Sequence, residues 1–232
     1  MTKVAATIFN STRHVVEETL SYRRVQLFDS KNDAENFKGP VGQLTFLNEV
    51  WLAPAEKIGY THTEDISILL IPINGALIWN AYLHGEQFVN AEQFAVGEIE
   101  KEKTYFIGNP FSNNAVNYLH IGFRAPSPNK NRSFAIEDIR LKKLNLLVPL
   151  DLHYPNYKGL MGIYEGRKKG HYELSKKDRL LFTYIIKGAF EVQGRLLEQQ
   201  EGLSLTNTEK IEFEALSNNA IILLLEIKSN NY

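Results

Sequence analysis

Six histidines, His14, His62, His84, His120, His153 and His171, are the residues of this chain best suited to proton transfer or metal ligation near neutral pH. No two of them stand in a His-x-His spacing, which on a strand would turn both imidazoles to one side. Glu64 and Asp65 follow His62 and could add oxygen ligands, and Glu173 follows His171 at a spacing of two. Nucleophilic hydrolysis would need a hydroxyl beside a histidine and an acid, but no Gly-x-Ser-x-Gly elbow is present. Gly-x-Gly-x-x-Gly and P-loop patterns are also missing. The chain has no cysteine, which excludes disulfides, thiolate nucleophiles, zinc–thiolate sites and iron–sulfur clusters.

The elements that must position any site read as strands. In Lys210 to Leu216, Ile211, Phe213 and Ala215 share one face and Glu212 and Glu214 the other. Gly202 to Thr206 repeats the alternation. Ile66 to Ile73 and Ala220 to Ile227 are nearly continuous apolar runs, as in strands buried on both faces. Asn74-Gly75, His84-Gly85-Glu86 and Lys187-Gly188 punctuate these runs as turns. Only Arg13 to Val25 and Asp33 to Phe37 offer themselves as helices. Many short strands between turns predict an all-β barrel or sandwich.

An internal echo divides the 232 residues. Ile73-Asn74-Gly75-Ala76-Leu77 returns as Ile186-Lys187-Gly188-Ala189-Phe190, and Ser112-Asn113-Asn114-Ala115-Val116 as Ser217-Asn218-Asn219-Ala220-Ile221. The common order favours a duplicated β-domain. A polar, Pro/Asn-rich linker at Ala125 to Asn131 places the division between residues 1–126 and 127–232.

The ordered series Gly42-Gln43-Leu44-Thr45-Phe46-Leu47-Asn48-Glu49, Ala53-Pro54, Gly59, Asp65, Gly75-Ala76-Leu77, Asn109-Pro110 and Ala125-Pro126 resembles the N-terminal half of the pirin family. The resemblance implies a bicupin, two cupin-type β-barrels in tandem. It also implies one iron in the N-terminal barrel, held by a His-x-His pair and, further along, a His-x-Glu pair. Three imidazoles and one carboxylate suit a divalent iron that keeps open positions. Counted forward from Gly59 and back from Gly75, the first pair falls on Thr61 and Thr63. Counted from Asn109-Pro110, the second falls on Tyr105 and Ile107. Neutral alcohols, a phenol and a hydrocarbon replace the ligands, so the resemblance implies the scaffold without its metal chemistry. In this register His62 would point away from the cavity.

Thr61, Thr63 and Tyr105, with Ser67 as a further pocket residue, would give the first barrel a polar, uncharged interior suited to a small neutral ligand. No metal or other cofactor is expected. The functional expectation is a non-catalytic binding or regulatory protein, with a protein partner in the regulatory case. The alternatives are a metal-dependent dioxygenase of the quercetin 2,3-dioxygenase type, as seen in some pirins, or a cofactor-independent small-molecule enzyme. Lys and Arg total 26 against 27 Asp and Glu, so no basic footprint for nucleic acid stands out. The longest apolar run, Ala220 to Leu225, is far short of the ~20 residues that cross a bilayer, and no signal-peptide pattern opens the sequence. A cytoplasmic protein with no membrane partner is the expectation. Gly166 to Gly170 reads as a solvated basic loop or an anion-binding hairpin, and Glu98 to Lys103 as an exposed mixed-charge turn. Tyr154, Tyr157, Tyr164 and Tyr172 would either pack or line a pocket for a flat ligand.

Overall fold

The computed structural model describes residues 5–29, 41–81, 85–125, 134–154, 156–176 and 179–228. Strand β1 (Ala5–Phe9) leads into one 3-10 turn (Ser11–Arg13). It is followed by β2 (Val15–Glu18), β3 (Tyr22–Asp29), β4 (Leu44–Leu52), β5 (Lys57–Thr61), β6 (Ile66–Asn74), β7 (Leu77–Ala81) and β8 (Gly85–Val89). Next come β9 (Gln93–Ile99), β10 (Thr104–Gly108), β11 (Val116–Arg124), β12 (Phe134–Asp138), β13 (Val148–Leu150) and β14 (Tyr157–Tyr164). The series closes with β15 (Lys169–Glu173), β16 (Arg179–Lys187), β17 (Ala189–Val192), β18 (Arg195–Glu198), β19 (Gly202–Thr206), β20 (Lys210–Ala215) and β21 (Ala220–Lys228). Among the described residues no helix is long and apolar enough to cross a membrane.

Two compact units result. The first holds the described residues within 15–139 other than 41–43, and the second those within 1–14, 41–43 and 140–232. In the first, sheet β12-β9-β6-β11-β4-β3-β2 accompanies sheet β5-β10-β7-β8. In the second, β1-β19-β16-β21-β14-β13 accompanies β15-β20-β17-β18. The orders β9-β6-β11-β4 and β5-β10-β7-β8 reappear with every strand number raised by ten, which is the topological form of the sequence echo. Gly75 and Gly188 occupy the same turn in the two units and both take positive φ, 87° and 78°, where a Cβ would be strained. β1 pairs with β19 and β12 with β9, so each unit draws on sequence from beyond the expected 126/127 division.

Alternation sets each core. In the first unit Val50, Leu70, Trp79, Tyr105, Ile107 and Tyr118 are sealed from solvent, and in the second Leu181, Ile185, Phe190, Phe213, Ile222 and Leu224. Fully burying one such side chain contributes about 1.5–3 kcal/mol, so the two sets account for the strands' cohesion without covalent ties.

The helix expected over Arg13 to Val25 is replaced by the hairpin β2–β3. Thr19 makes the turn: its Oγ1 accepts the N–H groups of Ser21 and Tyr22 at 3.2 and 3.1 Å, while Val15, Val16 and Val25 favour extended backbone. The expected helix at Asp33 to Phe37, the turn residue His84 and linker residues 126–131 lie outside the described residues. The Gly166 to Gly170 segment is a tight turn whose Arg167 and Lys169 both pair with Glu214, at 3.0 and 3.7 Å.

Candidate functional site

The polar residues of the first unit gather at one end of its core, around His120. This histidine sits in the middle of apolar strand β11 and is 1% exposed. Phe46 packs against its ring at 4.8 Å between centroids and Tyr60 at 4.3 Å. Phe46 can lie there because its partner across the β4–β11 ladder is Gly122, where any Cβ would collide with the Phe46 ring. Across the core, β10 delivers Tyr105, fully buried, and its neighbour β5 delivers Tyr60 directly opposite it.

Two hydrogen bonds tie these groups into a chain. The Tyr105 hydroxyl lies 2.7 Å from His120 Nε2 and 3.0 Å from His62 Nε2. Tyr60 and Tyr118 share a further bond between their hydroxyls at 3.2 Å. His62 stacks on Phe46 at 5.5 Å, with the rings 6° from parallel.

A cavity of about 430 Å³ opens over this cluster, walled by Arg24, Phe46, Asn48, Tyr60, His62 and His120, with Thr61, Thr63, Glu64, Asp65 and Arg124 also lining it. Burial, and secondarily the His62 and Arg24 charges, hold His120 well below the ordinary histidine range, so it is neutral. Burial likewise raises Tyr105 and Tyr118 well above 10 and pushes Tyr60 up to about 12, so all three phenols keep their protons.

The four positions singled out by residue spacing do not meet around one point. Tyr105 and Ile107 point into the core from β10. Thr61 and Thr63 are exposed at the cavity rim, where Thr61 shares a 2.8 Å hydroxyl contact with Thr104. Tyr60 and His62, one residue earlier in each case, take the inward places. Alternation along β5 buries Tyr60 and exposes Thr61, so the inward face carries the residue before each counted position. The register counted from Gly59 and Gly75 is thus one residue out, and the expectation that His62 faces away is corrected by its bond to Tyr105. Ser67 is fully buried, but it stands between Ile66 and Ile68 of the core cluster and so lies on the other face of β6. Asp65 accepts the Lys101 N–H at 2.8 Å, and Glu64 faces Arg124 at 3.9 Å across an exposed surface.

Residue spacing alone did not single out Arg24, Asn48, Tyr60 or His120. For His120 there was one signal, an imidazole in the centre of an otherwise apolar strand. In the second unit, Tyr164 joins the core cluster, while Tyr154, Tyr157 and Tyr172 line a separate cleft.

Comparison with known proteins places this geometry in a lineage. Residues 160–227 match the family model of the quercetinase C-terminal cupin domain, of the pirin group. No curated protein sequence matches the chain. Among solved structures, YhhW from Escherichia coli is 11% identical, with 98% of this chain and 100% of that one covered at a TM-score of 0.82. The bacterial pirin YhhW in complex with nickel(II) is 12% identical, with 97% and 100% covered and a TM-score of 0.82. A quercetin 2,3-dioxygenase from Acinetobacter baumannii is 14% identical, with 97% and 79% covered and a TM-score of 0.71. Across nearly its whole length this chain has the fold of these pirin and quercetin 2,3-dioxygenase structures, and over residues 160–227 its sequence matches the quercetinase C-terminal cupin model.

Proposed function

We propose that this pirin-like cupin protein is metal-free and non-catalytic, and that the cavity of its first unit binds a small neutral ligand. One observation carries the reading. Arg24 Nε, Asn48 Oδ1 and His120 Nδ1 are buried without a hydrogen-bond partner among the described residues, and all three residues line the same cavity. Leaving a buried polar atom unmet costs about 1–3 kcal/mol, so three around one space mark a place built for a polar guest.

The donor set supports the metal-free part. An iron in this family's cavity needs several imidazoles and a carboxylate, and these residues do not fit it. Among the described residues no three His, Asp or Glu side chains gather to hold a metal ion. His62 and His120 both direct Nε2 at the Tyr105 phenol, which burial keeps protonated, and Ile107 offers no donor. A neutral phenol competes poorly for a divalent cation.

Elemental analysis of tag-free protein tests the first claim, and thermal-shift screening against uncharged metabolites the second. The expected result is no stoichiometric iron, nickel, copper or zinc, together with a specific stabiliser. A ligand at 100 times its Kd contributes about 2.7 kcal/mol. The quercetinase family match favours a second reading, a metal-dependent dioxygenase. Stoichiometric metal with turnover of a flavonol would establish that reading and overturn the first.

A further inference from the structure

Tyr105 lies between two imidazoles, and its hydroxyl has one proton to give. Among the described residues only His120 Nε2, at 2.7 Å, and His62 Nε2, at 3.0 Å, stand within hydrogen-bond reach of this hydroxyl, so the arrangement that leaves its buried proton met donates it to one imidazole and accepts an N–H from the other. The far nitrogen of His120 decides between them. Nδ1 is buried and meets no partner among the described residues, and a buried orphan N–H is rarer in proteins than a buried orphan acceptor. Nδ1 is therefore the bare nitrogen and Nε2 carries the proton. His120 donates to the Tyr105 oxygen, Tyr105 donates to His62 Nε2, and the proton of His62 is left on Nδ1.

We infer that Tyr105 is a positioning residue that fixes two neutral histidines in opposite tautomers, as one hydrogen-bond chain running from His120 through Tyr105 to His62. The geometry stands by itself; its use rests on the ligand-binding reading above. Asn48 and His120 are directly opposed on β4 and β11, so Asn48 Oδ1 and His120 Nδ1 form a pair of neighbouring acceptors in the cavity wall. The matching ligand class is an uncharged molecule presenting adjacent N–H or O–H donors. A carboxylate, which brings only acceptors, is excluded from that edge.

The test is nitrogen NMR of metal-chelated protein carrying ¹⁵N-histidine, with long-range proton correlations that report which ring nitrogen is protonated. Wild type should show His120 protonated at Nε2 and His62 at Nδ1, each as a single fixed tautomer. In Tyr105→Phe, His120 should lose its fixed tautomer, and its two nitrogen shifts should move toward the averaged values of a freely exchanging imidazole. Protonation of His120 at Nδ1, or the same tautomer in both rings of the wild type, overturns the inference even if the variant does not fold. An unchanged His120 spectrum in folded Tyr105→Phe overturns it as well.

Acetamide and acetate serve as probes of the ligand class. Acetamide should shift the His120 Nδ1 resonance and acetate should leave it in place; a shift with acetate alone, or with neither, overturns the donor-rich class. Failure of the broader ligand-binding reading is distinct, because it is read as the lack of any specific stabiliser among uncharged metabolites in the thermal-shift screen of the untreated protein.

Discussion

Asn48 stands directly opposite His120 in the β4–β11 ladder, and each carries a buried polar atom that meets no hydrogen-bond partner among the described residues. Two neighbouring strands have thus placed polar groups where Val50 and Tyr118, one pair further along the same face, join the core cluster. On the proposed ligand-binding reading, groups retained at such a cost to the folded state trade stability for binding.

Asn48→Leu should expose that trade. The change removes the unmet amide oxygen and adds apolar contact, so the ligand-free protein should gain about 1 kcal/mol in urea unfolding. The same variant should lose most of the thermal shift given by whichever uncharged metabolite stabilises the wild type. A variant that is less stable, yet still stabilised by that compound, would show that Asn48 serves packing.

Acid should weaken the fold through His120. The folded protein resists the proton that the unfolded chain accepts below the ordinary value of 6.5, because burial, His62 and Arg24 all oppose the charge. Stability is therefore complete above pH 6.5 and falls as pH drops below it, by up to about 1.4 kcal/mol per pH unit for one such group. His14 adds in the same direction, its lowering by burial being only partly offset by Glu201. His120→Gln should show a shallower loss than wild type between pH 6.5 and 5, read as urea midpoints at each pH. Equal slopes would mean that His120 takes up its proton freely in the native state.

Much of the architecture was legible because it follows from periodicity. The paired segments Ile73 to Leu77 and Ile186 to Phe190 pointed to duplication, and the two units do share one strand order. Lys210 to Leu216 alternates as read, with Ile211, Phe213 and Ala215 buried. Arg13 to Val25 misled because a hydroxyl-made turn at Thr19 leaves no periodic trace. The site was legible only to within one residue. Alternation says that neighbouring residues face opposite sides but not which side is inward, so a slip of one residue exchanges Thr61 and Thr63 for Tyr60 and His62 at the inward places. Asn48 and Arg24 gain their meaning from strands β3, β4 and β11 lying side by side, which is a matter of topology rather than local sequence.

In the second unit a buried carboxylate should prove costly to remove. Glu226 is fully buried, accepts the Tyr172 hydroxyl at 2.5 Å and the Ser175 N–H at 3.0 Å, and faces the nearly buried Arg179 at 3.9 Å. Burial alone would raise its pKa, but the hydrogen bonds from Ser175 and Tyr172 outweigh that and hold it below 4.5. Its contribution is present above pH 4.5 and is lost as pH falls through the lowered value. Glu226→Gln removes the negative charge facing Arg179 and should destabilise by about 3 kcal/mol at pH 7. The gap from wild type should narrow on going to pH 3. A gap that stays constant across that range would assign the loss to packing rather than charge.

Metal affinity should be recoverable, and the register of β5 decides where. Tyr60→His, Tyr105→His and Ile107→Glu, combined with the native His62, put three imidazoles and one carboxylate on inward positions of β5 and β10 and the turn between β5 and β6. That donor set suits a divalent metal with open coordination positions. The triple variant should bind nickel(II) stoichiometrically in isothermal titration. A control carrying Thr61→His, Thr63→His, Tyr105→His and Ile107→Glu has its first two imidazoles on the exposed rim and should bind far more weakly. Tight binding by the control and none by the triple variant would mean that the strand register, and with it the inward placement of Tyr60 and His62, is wrong. Folding of both proteins is checked by circular dichroism first, since Ile107→Glu buries a carboxylate that only a bound cation compensates.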